Sequence, residues 1–538
     1  MKKFLKEHRL NILILISLVI VTYINALNNA FVSDDISEIA KNPDVGNFNY
    51  IFTHPFGFIR IILNWLAFHI GGLTPAFFRI INYFFHIGNV FLIYLLLNLL
   101  YSRKIALFAA ALFAVHPAIS EAVVWISGGT YPQYSFFFLL SFILYLKSKE
   151  NIKLFILSII FYLFALMSHP QMPLGLFLIF PLFEFVFGNL KKNWLKVIPY
   201  LLIALVYLFI NLGALPERET TLRSVHYQEK GFDNPVVLIP VAITSYLQLL
   251  IWPKDLTLYH SELAFGQIEF LIRLTLTILI LVALLISFKK NKQIFFWGSF
   301  SLIALSPTLT PFRLNWIVAE RYFYLPSLGV FTLVSLGLNK LLDYKKIKQI
   351  IISVFVIIII LLSARTILRN IDWKNEDNLW IATGKTSPSS PNTHNNLGDV
   401  YGRAGDKEAA AREFQTAIAL KPNYGDAYHN LANTYLEMGK IQDALDNYQK
   451  AADLNPSLWQ SYQNIAAIYF QAKQYDKTLE AIQKAIAINP KNLNLKSNLG
   501  IVYLAMGNKD KAKETFSLIL SLDPQNQLAK QGLVEANK

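Results

Sequence analysis

The chain has 538 residues, of which 54% are hydrophobic and only 16% charged, with 49 Lys+Arg against 35 Asp+Glu for a formal net charge of +14. The absence of cysteine excludes disulfides and thiol catalysis and leaves the redox compartment open. From Pro388 to the end there are 16 Lys+Arg and 15 Asp+Glu, so the tail accounts for +1 of the +14 and the excess lies upstream. This argues against nucleic acid as partner. It reads instead as lysines that set membrane topology.

Residues 1–365 are a succession of apolar stretches about 17–25 residues long, enough to cross a bilayer as helices. The first follows Lys2, Lys3, Lys6 and Arg9. It reads as a retained span rather than a signal peptide, because more spans follow. Basic loops placed inside then order the rest. A large outer loop runs over 28–75, span two covers about 76–100, and Arg103 and Lys104 return inside. Outer turns are expected at Gly128-Gly129 and at Ser168-His169-Pro170, with Lys147, Lys149 and Lys153, then Lys191 and Lys192, inside. Span seven (about 196–212) leads to an outer segment, 213–267. Within that segment Val236–Trp252 is apolar enough to cross, but Pro235, Pro240 and Pro253 favour an interfacial or re-entrant helix. Stretches 268–288, 293–309, 322–343 and 348–364 complete eleven spans and leave the tail outside, with the N-terminus cytoplasmic. A crossing by 236–252 makes twelve and reverses the parity.

Several outer-loop residues carry candidate chemistry. Asp34 and Asp35 directly follow a span, where two adjacent acids suit a base and a hydroxyl or metal orienter. The alternative is a solvated turn with Asp34 capping a short helix. His116 and Glu121 lie at the outer end of span three, where ionisable groups face a cavity or a partner. Arg60, Arg313 and Arg321 (with Glu320 beside the last) run against the inside bias. A guanidinium fork fits phosphate oxygens, and an anchor to lipid headgroups is the competing role. No Gly-rich phosphate loop, His-Glu-x-x-His or Gly-x-Ser-x-Gly is present, so a nucleotide-using site has no support.

The tail is periodic. Pro388, Pro422, Pro456, Pro490 and Pro524 fall 34 residues apart, the mark of a tetratricopeptide repeat (TPR) solenoid. Phe414, Tyr448, Ile482 and Phe516 share a column, as do Ala417, Ala451 and Ala485. The fold class expected is all-α: a polytopic membrane helix bundle over 1–365, a junction and half repeat over 366–388, four repeats over 389–524 and a capping helix over 525–538.

Phe31-Val32-Ser33-Asp34-Asp35 with Asn42-Pro43-Asp44-Val45 resembles the first luminal loop of the transmembrane and tetratricopeptide-repeat-containing (TMTC) proteins. So does Gly71-Gly72-Leu73-Thr74-Pro75 leading to Asn82, His86 and Asn89. Further likenesses follow in family order. They are His116-Pro117 with Glu121, Asp233-Asn234-Pro235, Ala319-Glu320-Arg321-Tyr322, and Arg369-Asn370, Asp372-Trp373 and Glu376. Two turns depart from the family: His169 stands where relatives usually carry Lys, and the turn after Trp125 lacks an Arg often seen there.

The resemblance implies a glycosyltransferase C fold and protein O-mannosyl transfer from a polyprenyl- or dolichyl-phosphate sugar, with the repeats on the active-site side holding the acceptor polypeptide. On this reading Asp34 is the base, and Asp35 orients the acceptor or holds a divalent metal. Arg321 with Arg60 binds the donor phosphate, and His116, Glu121 and Glu320 support. The protein would lie in the plasma membrane if the source is prokaryotic. Sugar transfer to a lipid or polysaccharide is the rival chemistry, and a membrane-anchored TPR scaffold the rival without chemistry.

Overall fold

A computed structural model describes residues 2–53, 57–148, 151–213, 235–260, 266–309 and 318–538, and no strand occurs among them. The chain forms two compact units, Met1–Thr386 and Ser387–Lys538. Arg313 and most of 213–234 lie outside the described residues.

Among the described residues of the first unit five helices are long and apolar enough to cross a membrane: Arg9–Ala26, Pro75–Leu100, Leu190–Leu212, Gln267–Lys290 and Lys348–Asp372. A sixth is broken: Arg103–Val115 and Pro117–Val124 meet at 64°. The break falls at Pro117, which has no amide hydrogen to continue the ladder. The other apolar helices, such as Ile152–Ser168 and Ser327–Leu341, run 10–17 residues. Eleven crossings therefore need these shorter helices too. Two expected spans are shorter than their apolar stretches. The helix in 293–309 ends at Leu305, just before Pro307, and that in 322–343 starts at Ser327, after Pro326.

Pro75–Leu100 is the central helix of this unit, and it packs against Arg103–Val115 and Thr130–Lys147. Arg103–Val115 presents Ala106, Ala109, Ala110 and Ala114, all fully buried. Such small residues let helices approach closely in lipid, where packing rather than water exclusion drives association. The central helix carries a polar stripe of Arg79, Asn82, His86 and Asn89, whose 3–4–3 spacing keeps one face. His86 Nδ1 meets the Tyr324 hydroxyl at 2.7 Å, and Asn89 Nδ2 donates to that hydroxyl at 3.1 Å and to the Pro132 carbonyl at 2.8 Å. This stripe joins helices far apart in sequence.

In the second unit helix pairs repeat at 34 residues. Helices Pro391–Arg403, Gly425–Glu437, Trp459–Gln471 and Leu493–Ala505 pair with Lys407–Leu420, Ile441–Leu454, Tyr475–Ile488 and Lys509–Leu522, and Gln527–Asn537 follows. Phe414, Tyr448, Ile482 and Phe516 are buried, and Ala417, Ala451 and Ala485 fully so. Each turn within a pair needs one left-handed residue. Gly405, Gly439 and Gly507 provide it at φ 83°, 76° and 73°, but the third repeat uses Lys473 at φ 57°. A side chain there costs about 1 kcal/mol. Lys473→Gly should raise the melting temperature of the repeat unit in calorimetry of the full chain by the equivalent of about 1 kcal/mol. An unchanged or lower value counts against the strain.

Candidate active site

The loop after the first helix is held by a buried arginine. Arg79 donates to the carbonyls of Leu27 (2.9 Å), Asn29 (2.7 Å), Ala30 (3.1 Å) and Val124 (2.8 Å). Asn29 Nδ2 reaches the Asn370 carbonyl at 2.9 Å, and the Ala30 amide that of Lys374 at 2.9 Å. The chain then turns at Ser33, whose φ of 53° is left-handed. A short π-helical turn, Ile36–Ala40, follows.

This geometry separates the two adjacent acids. Asp34 is exposed, and its carboxylate has no partner among the described residues. Asp35 is fully buried, and its Oδ1 accepts from the Ser127 amide at 2.8 Å and the Ser127 hydroxyl at 2.6 Å. Burial pushes the Asp35 carboxyl up to about 6, against the pull of Ser127. Arg60 pairs with Glu38 and approaches the Ser127 hydroxyl at 3.3 Å, within electrostatic reach of both acids.

A raised folded-state value means that Asp35 favours folding below its unfolded value of 3.8, and that this contribution is lost as pH rises through about 6. The shift corresponds to on the order of 3 kcal/mol. The melting temperature of wild type should therefore fall between pH 4 and pH 7 more steeply than that of Asp35→Asn. Parallel curves would show that Asp35 does not titrate in this window.

A second cluster surrounds Arg321. Its Nη1 bonds Glu121 at 2.5 Å, and its amide donates to the other Glu121 oxygen at 2.8 Å. Its guanidinium lies 5.3 Å from the Trp125 ring and 5.1 Å from that of Tyr322. Trp125 joins the two clusters, because its indole N–H donates to the Val32 carbonyl at 3.3 Å, next to the Ser33 turn. Tyr259 is within electrostatic reach of Asp34, Arg321 and Glu376; burial, reinforced by the two acids, drives its phenol up. Arg321 stays 12% exposed while Glu121 is fully buried, so the cation is the accessible half of the pair.

A third group lies deeper. Glu320 accepts from Arg369 at 3.2 Å and from the Thr257 amide at 2.5 Å, with His260 at 4.0 Å. Burial raises the Glu320 carboxyl against the pull of Arg369. Arg369 also bonds Asp372 at 2.9 Å.

Of the residues singled out in the sequence, Asp35 and Arg60 meet through Ser127, and Glu121 meets Arg321. Glu320 is tied to Arg369 rather than to its neighbour Arg321. His116 spends both ring nitrogens on main chain: Nδ1 accepts from the Ala118 amide at 3.2 Å and Nε2 lies 3.0 Å from the Leu250 carbonyl. That is a cap at the Pro117 break. Arg79, Ser127, Glu38 and Arg369 are not among the site residues expected from the sequence. Arg79 lies on the 79–82–86–89 polar stripe and Arg369 in the junction motif, which are the signals the chain carries for them.

A divalent metal at Asp35 does not fit this donor set. Both hydrogen bonds from Ser127 fall on Asp35 Oδ1, Oδ2 faces the Val32 amide at 3.4 Å, and the cation beside Glu38 is already Arg60. Among the described residues no three His, Asp or Glu side chains converge.

Comparisons with known proteins give tetratricopeptide repeat families matching residues 403–439, 425–458 and 469–534. A protein O-mannosyl-transferase of Caenorhabditis elegans is 26% identical over 452 residues, covering 77% of this chain and 63% of that one. Human protein O-mannosyl-transferase TMTC4 is 26% identical, covering 74% and 64%. Human TMTC3 is 24% identical, covering 77% and 51%. The chain thus spans about half to two thirds of the length of these relatives.

Proposed function

We propose that this chain, which resembles the TMTC protein O-mannosyl-transferases over 74–77% of its length, is itself a protein O-mannosyltransferase of the membrane. It takes a hexose, mannose, from a polyprenyl phosphate and joins it to a Ser or Thr hydroxyl. The acceptor oxygen bonds the anomeric carbon as the bond from that carbon to the phosphate oxygen breaks. The hydroxyl proton goes to Asp34, and the polyprenyl phosphate leaves with the electron pair. One such displacement inverts the anomeric centre.

The observation that carries this reading is that Trp125 links the loop of an exposed carboxylate to an accessible guanidinium. Asp34 is exposed and has no hydrogen bond or ion pair to its carboxylate among the described residues, Arg321 lies over Trp125, and Trp125 bonds the loop that bears Asp34. A hydroxyl needs a positioned base. The leaving phosphate gains charge that a fixed cation stabilises. Arg321 meets the phosphate with the edge of its fork not taken by Glu121. Arg60 keeps Glu38 neutralised beside the base. Its bond to Glu38 speaks for that role more than for phosphate capture.

The repeats hold the acceptor. Asn396, Asn430, Asn464 and Asn498 recur at 34 residues along the first helices of the pairs, and they are half-buried. The last of them, Asn498, lines a groove of about 270 Å³ together with Gln463, Phe470 and Ile501 among others. Amides with little charge suit a polypeptide main chain, which offers a donor and an acceptor at each residue. On this reading the site and the repeats face outward, where a lipid must carry the sugar, and the lysine pattern supports it.

The deciding experiment incubates purified full-length protein with polyprenyl-phosphate mannose and a Ser/Thr-rich peptide, and reads the peptide's intact mass. Addition of one hexose is expected. Sugar found only on lipid or polysaccharide supports the rival chemistry, and no transfer at all returns the chain to a scaffold.

A further inference from the structure

Among the described residues no side chain bonds the Asp34 carboxylate to aim it, so its direction is set by the main chain at Ser33. That residue is left-handed at φ 53°, and the only other described non-glycine residue with positive φ is Lys473. A serine there does not hold itself in place. The Ser33 amide donates to Glu376 Oε1. The other Glu376 oxygen accepts the Trp380 indole N–H at 2.6 Å. Trp380 is buried, with its ring 5.7 Å from that of Tyr259.

Glu376 opens the helix Glu376–Thr386, where a carboxylate ordinarily caps its own helix. Here Asn375 takes part of that duty, accepting from the Asn378 amide at 2.9 Å. Glu376 instead reaches 343 residues back along the chain. The rest of the loop has its own anchors in Arg79 and in the Ala30–Lys374 bond. Removing the Glu376 carboxylate therefore frees the Ser33–Asp34 turn without freeing the loop.

We infer that Glu376, braced by Trp380, is a positioning residue that holds Ser33 in its left-handed turn and so aims Asp34. The inference rests on Asp34 being the base, and it makes the helix that precedes the repeats part of the active-site frame.

The test uses the full chain and a glycine rescue. Glu376→Ala should lower kcat by about 10²-fold, the cost of a misplacement near 1 Å, with the KM for the lipid donor unchanged. Trp380→Phe, which loses the N–H and part of a buried ring, should lower kcat in the same direction by less. Ser33→Gly added to Glu376→Ala should restore most of the rate, because glycine adopts the turn unaided. A merely structural Glu376 would not be rescued at residue 33. Amide hydrogen exchange at Ser33 is read in parallel and should accelerate in Glu376→Ala. A wild-type kcat in Glu376→Ala, failure of the glycine rescue, or unchanged exchange at Ser33 each overturns the inference. An inactive wild type whose Ser33 exchange still accelerates in Glu376→Ala keeps the hold on the turn and instead removes Asp34 as base.

Discussion

Asp34→Asn should cut transfer by at least about 10²-fold, as loss of a general base commonly does. It should leave the melting temperature within the equivalent of about 0.5 kcal/mol, because an exposed carboxylate without partners contributes no packing. Asp35→Asn should behave in the opposite way. Its carboxylate is fully buried and takes both Ser127 hydrogen bonds. An asparagine can keep both Ser127 bonds on its oxygen, but its amide nitrogen then faces the Val32 N–H, which Asp35 Oδ2 accepted at 3.4 Å, and leaves a buried donor unmet at about 1–3 kcal/mol. Its effect on rate follows from the shape of the turn and is the smaller of the two. Peptide mannosylation and thermal unfolding, measured on both variants, separate the pair. Transfer by Asp34→Asn at the wild-type rate would leave only the solvated-turn reading of the motif.

Arg321→Gln should lose donor binding and stability together. Its partner Glu121 is fully buried, so removing the guanidinium strands a charge, which typically costs about 3–5 kcal/mol. A single substitution therefore confounds the two roles, and a double-mutant cycle resolves them. Glu121→Gln combined with Arg321→Gln removes the stranded charge and should recover most of the melting temperature. Donor affinity should stay lost, because no cation remains for the phosphate. Arg321→Lys should keep part of the affinity through its point charge while losing the fork. Binding of the lipid donor, with calorimetry of each variant, is the measurement. Recovery of donor affinity in the double variant would make Arg321 a structural partner of Glu121 and nothing more.

The sequence was legible where a pattern repeats or where chemistry is adjacent in the chain. A 34-residue period in Pro, Ala and aromatic positions determined the helix pairs, because each repeat buries the same face against its neighbours. Apolar length determined the long helices at Arg9–Ala26, Pro75–Leu100 and Lys348–Asp372, since a backbone in lipid must satisfy its own hydrogen bonds. Prolines marked the breaks. The neighbours Asp34 and Asp35 could be singled out as a pair.

Only tertiary structure decided what each acid is. Adjacent residues in a turn point different ways, so one carboxylate met water and the other met Ser127, some 92 residues away. The same holds for the cations. Arg60 found Glu38, Arg321 found Glu121 200 residues upstream, and Arg369 found Glu320, pairings that no spacing rule anticipates. Burial of a charge demands a partner from wherever the fold brings one near, and that choice has no local signature in the chain. Glu376 shows the limit most clearly. In sequence it is one acid of the junction motif after Trp373, with nothing in the chain to say what it meets. In the fold it accepts the Ser33 amide, and this contact depends on bringing the two ends of the first unit together.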